Sequence, residues 1–225
     1  MEEIRLIDIK EEILSDNKWL AEKIREKLSQ EKVFMLNLMG SPGSGKTSLI
    51  LKTISYLKDR YRIAVVEADI DSVVDSEKVA AMGIQTVQIR TGGFCHVDAA
   101  MSEKALESLP LGQLDFIILE NVGNLICPAE TDTGAVRNTV ILSVPEGDDK
   151  PLKYPLIFTV CDTLVINKLD YKDKADFDLE RVRERTNVLN SNIQFFPLSC
   201  KTSQGLEDWI AWLDQEISSF QRGRL

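Results

Sequence analysis

Long apolar runs are missing from this 225-residue chain: none approaches the roughly 20 residues that a membrane-spanning helix needs, so no membrane is expected among its partners. Cysteine is sparse. The four present are too few for a disulfide framework in a chain of this length without export, so they are expected to be free thiols or metal ligands. Basic charge is short as well: 27 Lys plus Arg against 36 Asp plus Glu leaves a net charge of -9, which argues against a sequence-independent grip on nucleic-acid phosphate. The opening Met1-Glu2-Glu3-Ile4-Arg5 puts acids where a signal peptide is basic, and no apolar segment follows, so a cytoplasmic location is expected. Repeats, linkers and low-complexity tracts are lacking too. With 44% hydrophobic and 28% charged residues, the composition fits one globular domain over 1–225.

The pattern of apolar residues predicts an α/β fold. Ile13, Leu14, Leu20, Ile24 and Leu28 form a stripe at helical spacing, with a cap signal at Ser15-Asp16, so about 1–30 should be a covering helix. Short Val/Ile/Leu-rich strands are expected at 33–39, 62–68, 85–90, 115–119, 140–144, 163–167 and 194–198. Helices are expected at 47–57, from the acidic loop 69–75 to near Gly83, and at about 96–109, 174–189 and 206–220. Such alternation implies a mostly parallel sheet covered by helices on both faces.

Between the first strand and its helix lies Gly40-Ser41-Pro42-Gly43-Ser44-Gly45-Lys46-Thr47, which matches the phosphate-binding P-loop, with Ser48 next in the same run. Its glycines let backbone N–H groups converge on phosphate, the helix N-terminus adds partial positive charge, and Lys46 reaches the β and γ phosphates. Thr47 offers a hydroxyl to Mg2+, a hard ion that also needs carboxylates at neighbouring strand ends. Asp69, Asp71, Asp75 and Glu120 are the candidates, with Asp75 and Glu120 assigned to Mg2+ and Asp69 placed first for positioning the attacking water. A solvated acidic loop is the bland alternative for the aspartates. Gly123, three residues beyond Glu120, has the form of a γ-phosphate sensor.

The base is read by a second motif. Asn167-Lys168-Leu169-Asp170 follows an apolar strand and fits N-K-x-D, in which the Asp carboxylate accepts from the two donors on the guanine edge that adenine lacks. The Asn amide and the Lys stem assist, and Ser199-Cys200-Lys201 after the next strand forms a second base loop. GTP hydrolysis is therefore expected, with a P-loop kinase as the alternative and a passive metal-storage protein as a third.

Taken together these residues resemble the HypB GTPases, which help insert nickel into hydrogenases, within the dimeric P-loop GTPases that include the urease accessory protein UreG. The resemblance spans nearly the whole chain. It rests on the P-loop, Cys95-His96-Val97-Asp98-Ala99, Glu120-Asn121-Val122-Gly123-Asn124-Leu125 with Cys127-Pro128, the segment from Glu146 through Asp149, Lys150, Pro151 and Lys153 to Pro155, and Asn167 to Asp170. It implies a GTP-dependent homodimer in nickel-enzyme maturation, with maturation factors and a hydrogenase large-subunit precursor as partners, and Lys153 presented toward the partner's nucleotide. A UreG-like protein would carry a Cys-Pro-His motif; here Cys-His plus a distant Cys-Pro favours the hydrogenase branch, and the urease branch is the alternative.

Read for themselves, Cys95, His96 and Cys127 offer two soft thiolates and an imidazole, each shortly beyond an expected strand, as Ni2+ or Zn2+ would require. Alone, such residues more often fill a core or a turn. His96 is the only histidine, and no cysteine precedes Cys95, so no His-rich nickel store or N-terminal tail site is expected. Three ligands are fewer than the four of a closed structural site, which suits a labile metal or ligands shared across a two-fold axis at a dimer interface. Cys161 is expected to be a buried inert thiol, and Cys200 is assigned no metal.

Overall fold

The computed structural model describes residues 9–69 and 74–224. Strands β1 (Phe34–Gly40), β2 (Ile63–Asp69), β3 (Gln85–Arg90), β4 (Phe116–Glu120), β5 (Arg137–Ser143), β6 (Thr163–Asn167) and β7 (Gln194–Pro197) form one sheet. Their order is β3-β2-β4-β1-β5-β6-β7, and every adjacent pair is parallel. Helices α1 (Ile9–Glu31), α2 (Lys46–Leu57), α3 (Val74–Ala80), α4 (Ala99–Glu107), α5 (Cys127–Glu130), α6 (Lys150–Lys153), α7 (Pro155–Val160), α8 (Leu179–Leu189) and α9 (Leu206–Gln221) supply the crossovers and flanks. The expected mostly parallel sheet is parallel throughout.

Covering both faces explains why the central strands read as continuous apolar runs rather than as alternations. Every residue of β1 is buried. Side chains of a strand point alternately to opposite faces, so Phe34, Leu36 and Leu38 join one core with α2 and α9, while Met35 joins a second under α1 and α4. A third core under α7 and α8 takes Met39, Val140, Leu142, Leu164 and Ile166. On the first face Trp209 of α9 donates its indole N–H to Thr53 of α2 at 3.0 Å, satisfying two buried polar groups at once.

Several boundaries differ from expectation, each for a local reason. Helix α1 runs through the Ser15-Asp16 pair expected to cap it; both side chains are exposed, and the Lys and Glu residues upstream are good helix formers. Helix α4 begins at Ala99 rather than near His96 because Asp98 caps it, accepting from Met101 N at 2.8 Å. Helix α8 begins at Leu179 rather than Lys174, since Asp178 accepts from Glu180 N and Arg181 N. Helix α3 stops at Ala80, short of Gly83. Strand β5 starts earlier than expected, at Arg137, its polar first half pairing in register with β1. Asp71 lies outside the described residues; Asp75 falls in α3, and its side chain also lies outside them.

Candidate functional site

Strand β1 lies between β4 and β5, so the C-terminal ends of these strands open at the sheet's switch point, where α/β folds bind ligands. The P-loop leaves β1 here. A cleft of about 560 Å3 is lined by Pro42, Lys46, Thr47, Glu67, Asp69 and Glu120, among others. Lys46 is buried and donates from Nζ to the Gly40 carbonyl at 3.2 Å and the Ser41 carbonyl at 3.3 Å, folded back along the loop it serves. Thr47 Oγ1 donates to Glu120 Oε1 at 3.1 Å, placing the hydroxyl and the carboxylate expected for Mg2+ side by side. Hard oxygen donors in a buried anionic corner suit such an ion.

Glu67 is a residue the sequence reading missed. It is buried at the end of β2 in register with Glu120 of β4, so two carboxylates face the cleft from neighbouring strands. The signal was its spacing, two residues before Asp69 on a strand, where side chains share a face. Gly123 packs on the P-loop so closely that a Cβ there would lie 2.9 Å from Pro42 Cγ. The expected phosphate sensor is thus seated directly against the phosphate loop.

The base motif occupies an adjoining cavity of about 400 Å3 lined by Ser48, Pro145, Lys168, Asp170, Cys200 and Lys201, among others. Buried Asn167 works chiefly as a buckle: Nδ2 donates to the Ser44 carbonyl at 3.1 Å, and Oδ1 accepts from Lys168 N at 2.7 Å and Cys200 N at 3.1 Å. One side chain therefore joins the P-loop to both base loops. Lys168 Nζ donates to the Gly43 carbonyl at 2.7 Å. Asp170 Oδ1 accepts from Ser199 Oγ at 2.6 Å, and this bond holds its carboxyl below the usual carboxylate range. Cys200 is buried, and desolvation pushes its thiol up to about 11. Burial pushes the Cys161 thiol up as well.

The fold brings Cys95, His96 and Cys127 together across 32 positions of sequence, with all three donor atoms within 4.8 Å of one another. Cys95 Sγ lies 3.7 Å from His96 Nδ1. Its hydrogen bond to the Cys127 thiol raises the Cys95 pKa, so metal binding there must displace protons. Soft sulfur and imidazole donors at this separation fit Ni2+ or Zn2+. The cap on α4 matters here, since it leaves Cys95 and His96 on a loop. Asn124, also missed from sequence, joins the two sites. Its backbone N donates to the Gly40 carbonyl at 3.0 Å, its Nδ2 to the Cys95 carbonyl at 3.2 Å, and its Oδ1 accepts from Ile126 N at 2.9 Å. Lys153, expected to reach the partner's nucleotide, is exposed and pairs with Asp149 in its own turn.

Comparison with known proteins fits this geometry. Residues 34–197 match the family described as CobW/HypB/UreG, nucleotide-binding domain. The hydrogenase maturation factor HypB of Escherichia coli (strain K12) is 38% identical over 216 residues, which cover 96% of this chain and 74% of that protein. The chain belongs to the HypB family. The probable hydrogenase maturation factor HypB of Methanocaldococcus jannaschii is 38% identical, across 95% of this chain and 97% of that one. Two HypB crystal structures superpose with a TM-score of 0.85 at 38% identity, each matching 91% of this chain: HypB from Archaeoglobus fulgidus, matched over 100% of its chain, and HypB from Helicobacter pylori in complex with nickel, matched over 96%. This HypB-family chain thus carries a P-loop nucleotide-binding domain, and no described helix is long and apolar enough to cross a membrane.

Proposed function

We propose that the chain is a single-domain GTP-hydrolysing metallochaperone that assists nickel insertion during hydrogenase maturation, dimerising when GTP is bound. The observation that carries this reading is the adjacency of three parts: a P-loop, a guanine-reading Asp170 locked by Ser199, and a thiolate-imidazole trio joined to the P-loop through Asn124.

In this reading Asp170 accepts from the guanine donors, and Asn167 keeps base loop and P-loop in one piece. Lys46 exchanges the Gly40 and Ser41 carbonyls for β and γ phosphate oxygens, neutralising charge that grows on the leaving group. Bound Mg2+ would add further charge neutralisation, held by Thr47 with Glu120, and with Asp75 as the second expected carboxylate. Asp69 positions the attacking water, and Gly123 N–H answers to the γ phosphate. Hydrolysis should be slow, since among the described residues no glutamine lines the cleft.

Nickel or zinc is cargo rather than a resident cofactor in this scheme. The exposed Phe94 and Ile126 are the sequence neighbours of the two cysteines, Leu152 and Leu156 are exposed on α6 and α7, and such apolar side chains suit burial against a second copy of the chain. Lys153 and Lys150 then meet the partner across the dimer. The split arrangement of Cys95-His96 and Cys127 favours the hydrogenase branch over a UreG-like protein with its Cys-Pro-His motif. The test is titration of Ni2+ and Zn2+ into apo and GTP-loaded protein with oligomer mass followed in parallel. GTP-dependent dimers with about one metal per interface support the reading; a monomer in every state, or phosphate transfer to an added acceptor in place of hydrolysis, overturns it.

A further inference from the structure

Helix α1 buries Ala21, Ile24 and Leu28 against the sheet, and one turn before Ala21 the half-buried Asn17 reaches both segments that carry the metal donors. Asn17 Oδ1 accepts from Ala99 N at 2.9 Å, and Asn17 Nδ2 donates to the Asp132 carbonyl at 2.9 Å. Ala99 opens α4 directly behind the Cys95-His96 loop, and Asp132 follows α5, which begins at Cys127. A single amide therefore spans from one ligand segment to the other.

Asn124 ties the two segments beside the donors, from the Cys95 carbonyl to Ile126 N, and Asn17 ties them a second time from the covering helix. On the first, Val97 is fully buried and donates its N–H to Asn121 Oδ1 at 3.1 Å, while Asp98 caps α4. On the second, Arg25 Nε donates to the Ala135 carbonyl at 3.1 Å, and Arg25 also pairs with the Asp132 carboxylate. Gly134, at φ +77°, lets this segment lie against α1; a Cβ there would sit 2.7 Å from Ile24 Cβ. The first N–H groups of a helix have no partner inside it, and the Asp132 carbonyl needs a donor. Only a side chain with both a donor and an acceptor can serve the two.

We propose that Asn17 is a positioning residue for the metal site, setting the distance between the Cys95-His96 loop and Cys127 from the covering helix. The proposal rests on the metal reading above. Groups that orient ligands from behind tune metal affinity although they never touch the ion.

The experiment measures Zn2+ and Ni2+ affinity of the full chain by chelator competition, together with the thiolate-to-nickel charge-transfer spectrum, GDP affinity and thermal unfolding without metal. Asn17→Ala should weaken both metals by about 10-fold and shift the nickel band, with GDP affinity within about twofold of the parent. Asn17→Asp retains the acceptor for Ala99 N, and so guards folding of α4, but loses the donor to Asp132; it should also weaken metal binding. A merely structural Asn17 would lower the melting temperature and leave metal affinity and nickel spectrum as they are, and that result in both variants overturns the proposal. Failure of the metal reading itself looks different: Cys127→Ala would bind metal as tightly as the parent.

Discussion

At the residue scale, the Asp170 carboxylate, proposed above to read guanine, is held in place by its own chain. The Ser199 hydroxyl donates to one carboxylate oxygen and Lys201 Nζ stands 3.8 Å from the other, so the group points into the base cavity already ionised. Asp170→Asn replaces an acceptor by an amide and should cost roughly 10- to 100-fold in GTP affinity, the worth of hydrogen bonds to a charged group, while moving preference toward XTP. Competition among GTP, ATP and XTP checks this, and an unchanged preference contradicts it. The pH dependence follows from the sign of the shift. Because the folded-state pKa is lowered, the ionised carboxylate persists below the usual Asp range, so GDP affinity should stay level from pH 7 down to about 5. A fall centred well above pH 5 would show the carboxylate titrating far above its ordinary range, opposite to the lowered direction. Lys46 is the corresponding residue for turnover: Lys46→Ala should slow single-turnover hydrolysis by at least about 100-fold, with Asp69, Glu67 and Glu120 variants ranked after it. Undiminished hydrolysis by Lys46→Ala would discard the scheme.

At the scale of elements, the central strands were legible because burial on both faces makes them mostly apolar, as in Phe34 to Met39 and Thr163 to Ile166. The P-loop and base motif were legible because their spacing is local. What escaped depended on partners distant in sequence. The start of β5 reads as polar, yet Arg137 and Asn138 are held by pairing with Leu36 and Asn37 of β1. Glu67 becomes a cleft residue only when β2 lies beside β4. No pattern in the chain announces that Asn124 will bond at once to Gly40, the Cys95 carbonyl and Ile126. The contact of α1 with the segment after α5 is likewise invisible locally, although Gly134 marks it. Gly134→Ala adds a Cβ in a left-handed conformation against Ile24 and should destabilise the fold by about 1–3 kcal/mol, read as a lower denaturation midpoint at unchanged slope. A midpoint equal to that of the parent would show that this approach is loose.

On the scale of the whole molecule, the P-loop and the trio of Cys95, His96 and Cys127 share one end of the sheet. The P-loop leaves β1, residues 121–125 leave β4, and Asn124 among them holds both Gly40 and Cys95. A switch that moves on sensing the γ phosphate would carry Cys127 with it, so nucleotide and metal become linked ligands whose effects on each other are reciprocal. Asn124→Ala should bring the metal affinities of the GDP and GTP-analogue states toward each other while leaving each site able to bind. The most direct measurement is Ni2+ affinity by chelator competition on the same protein in apo, GDP-bound and GTP-analogue-bound forms. A typical coupling of about 1 to 3 kcal/mol predicts affinities that differ between the GDP and GTP-analogue states by roughly 5- to 150-fold. Identical affinities in all three states would contradict the account and leave the metal donors merely adjacent to the nucleotide.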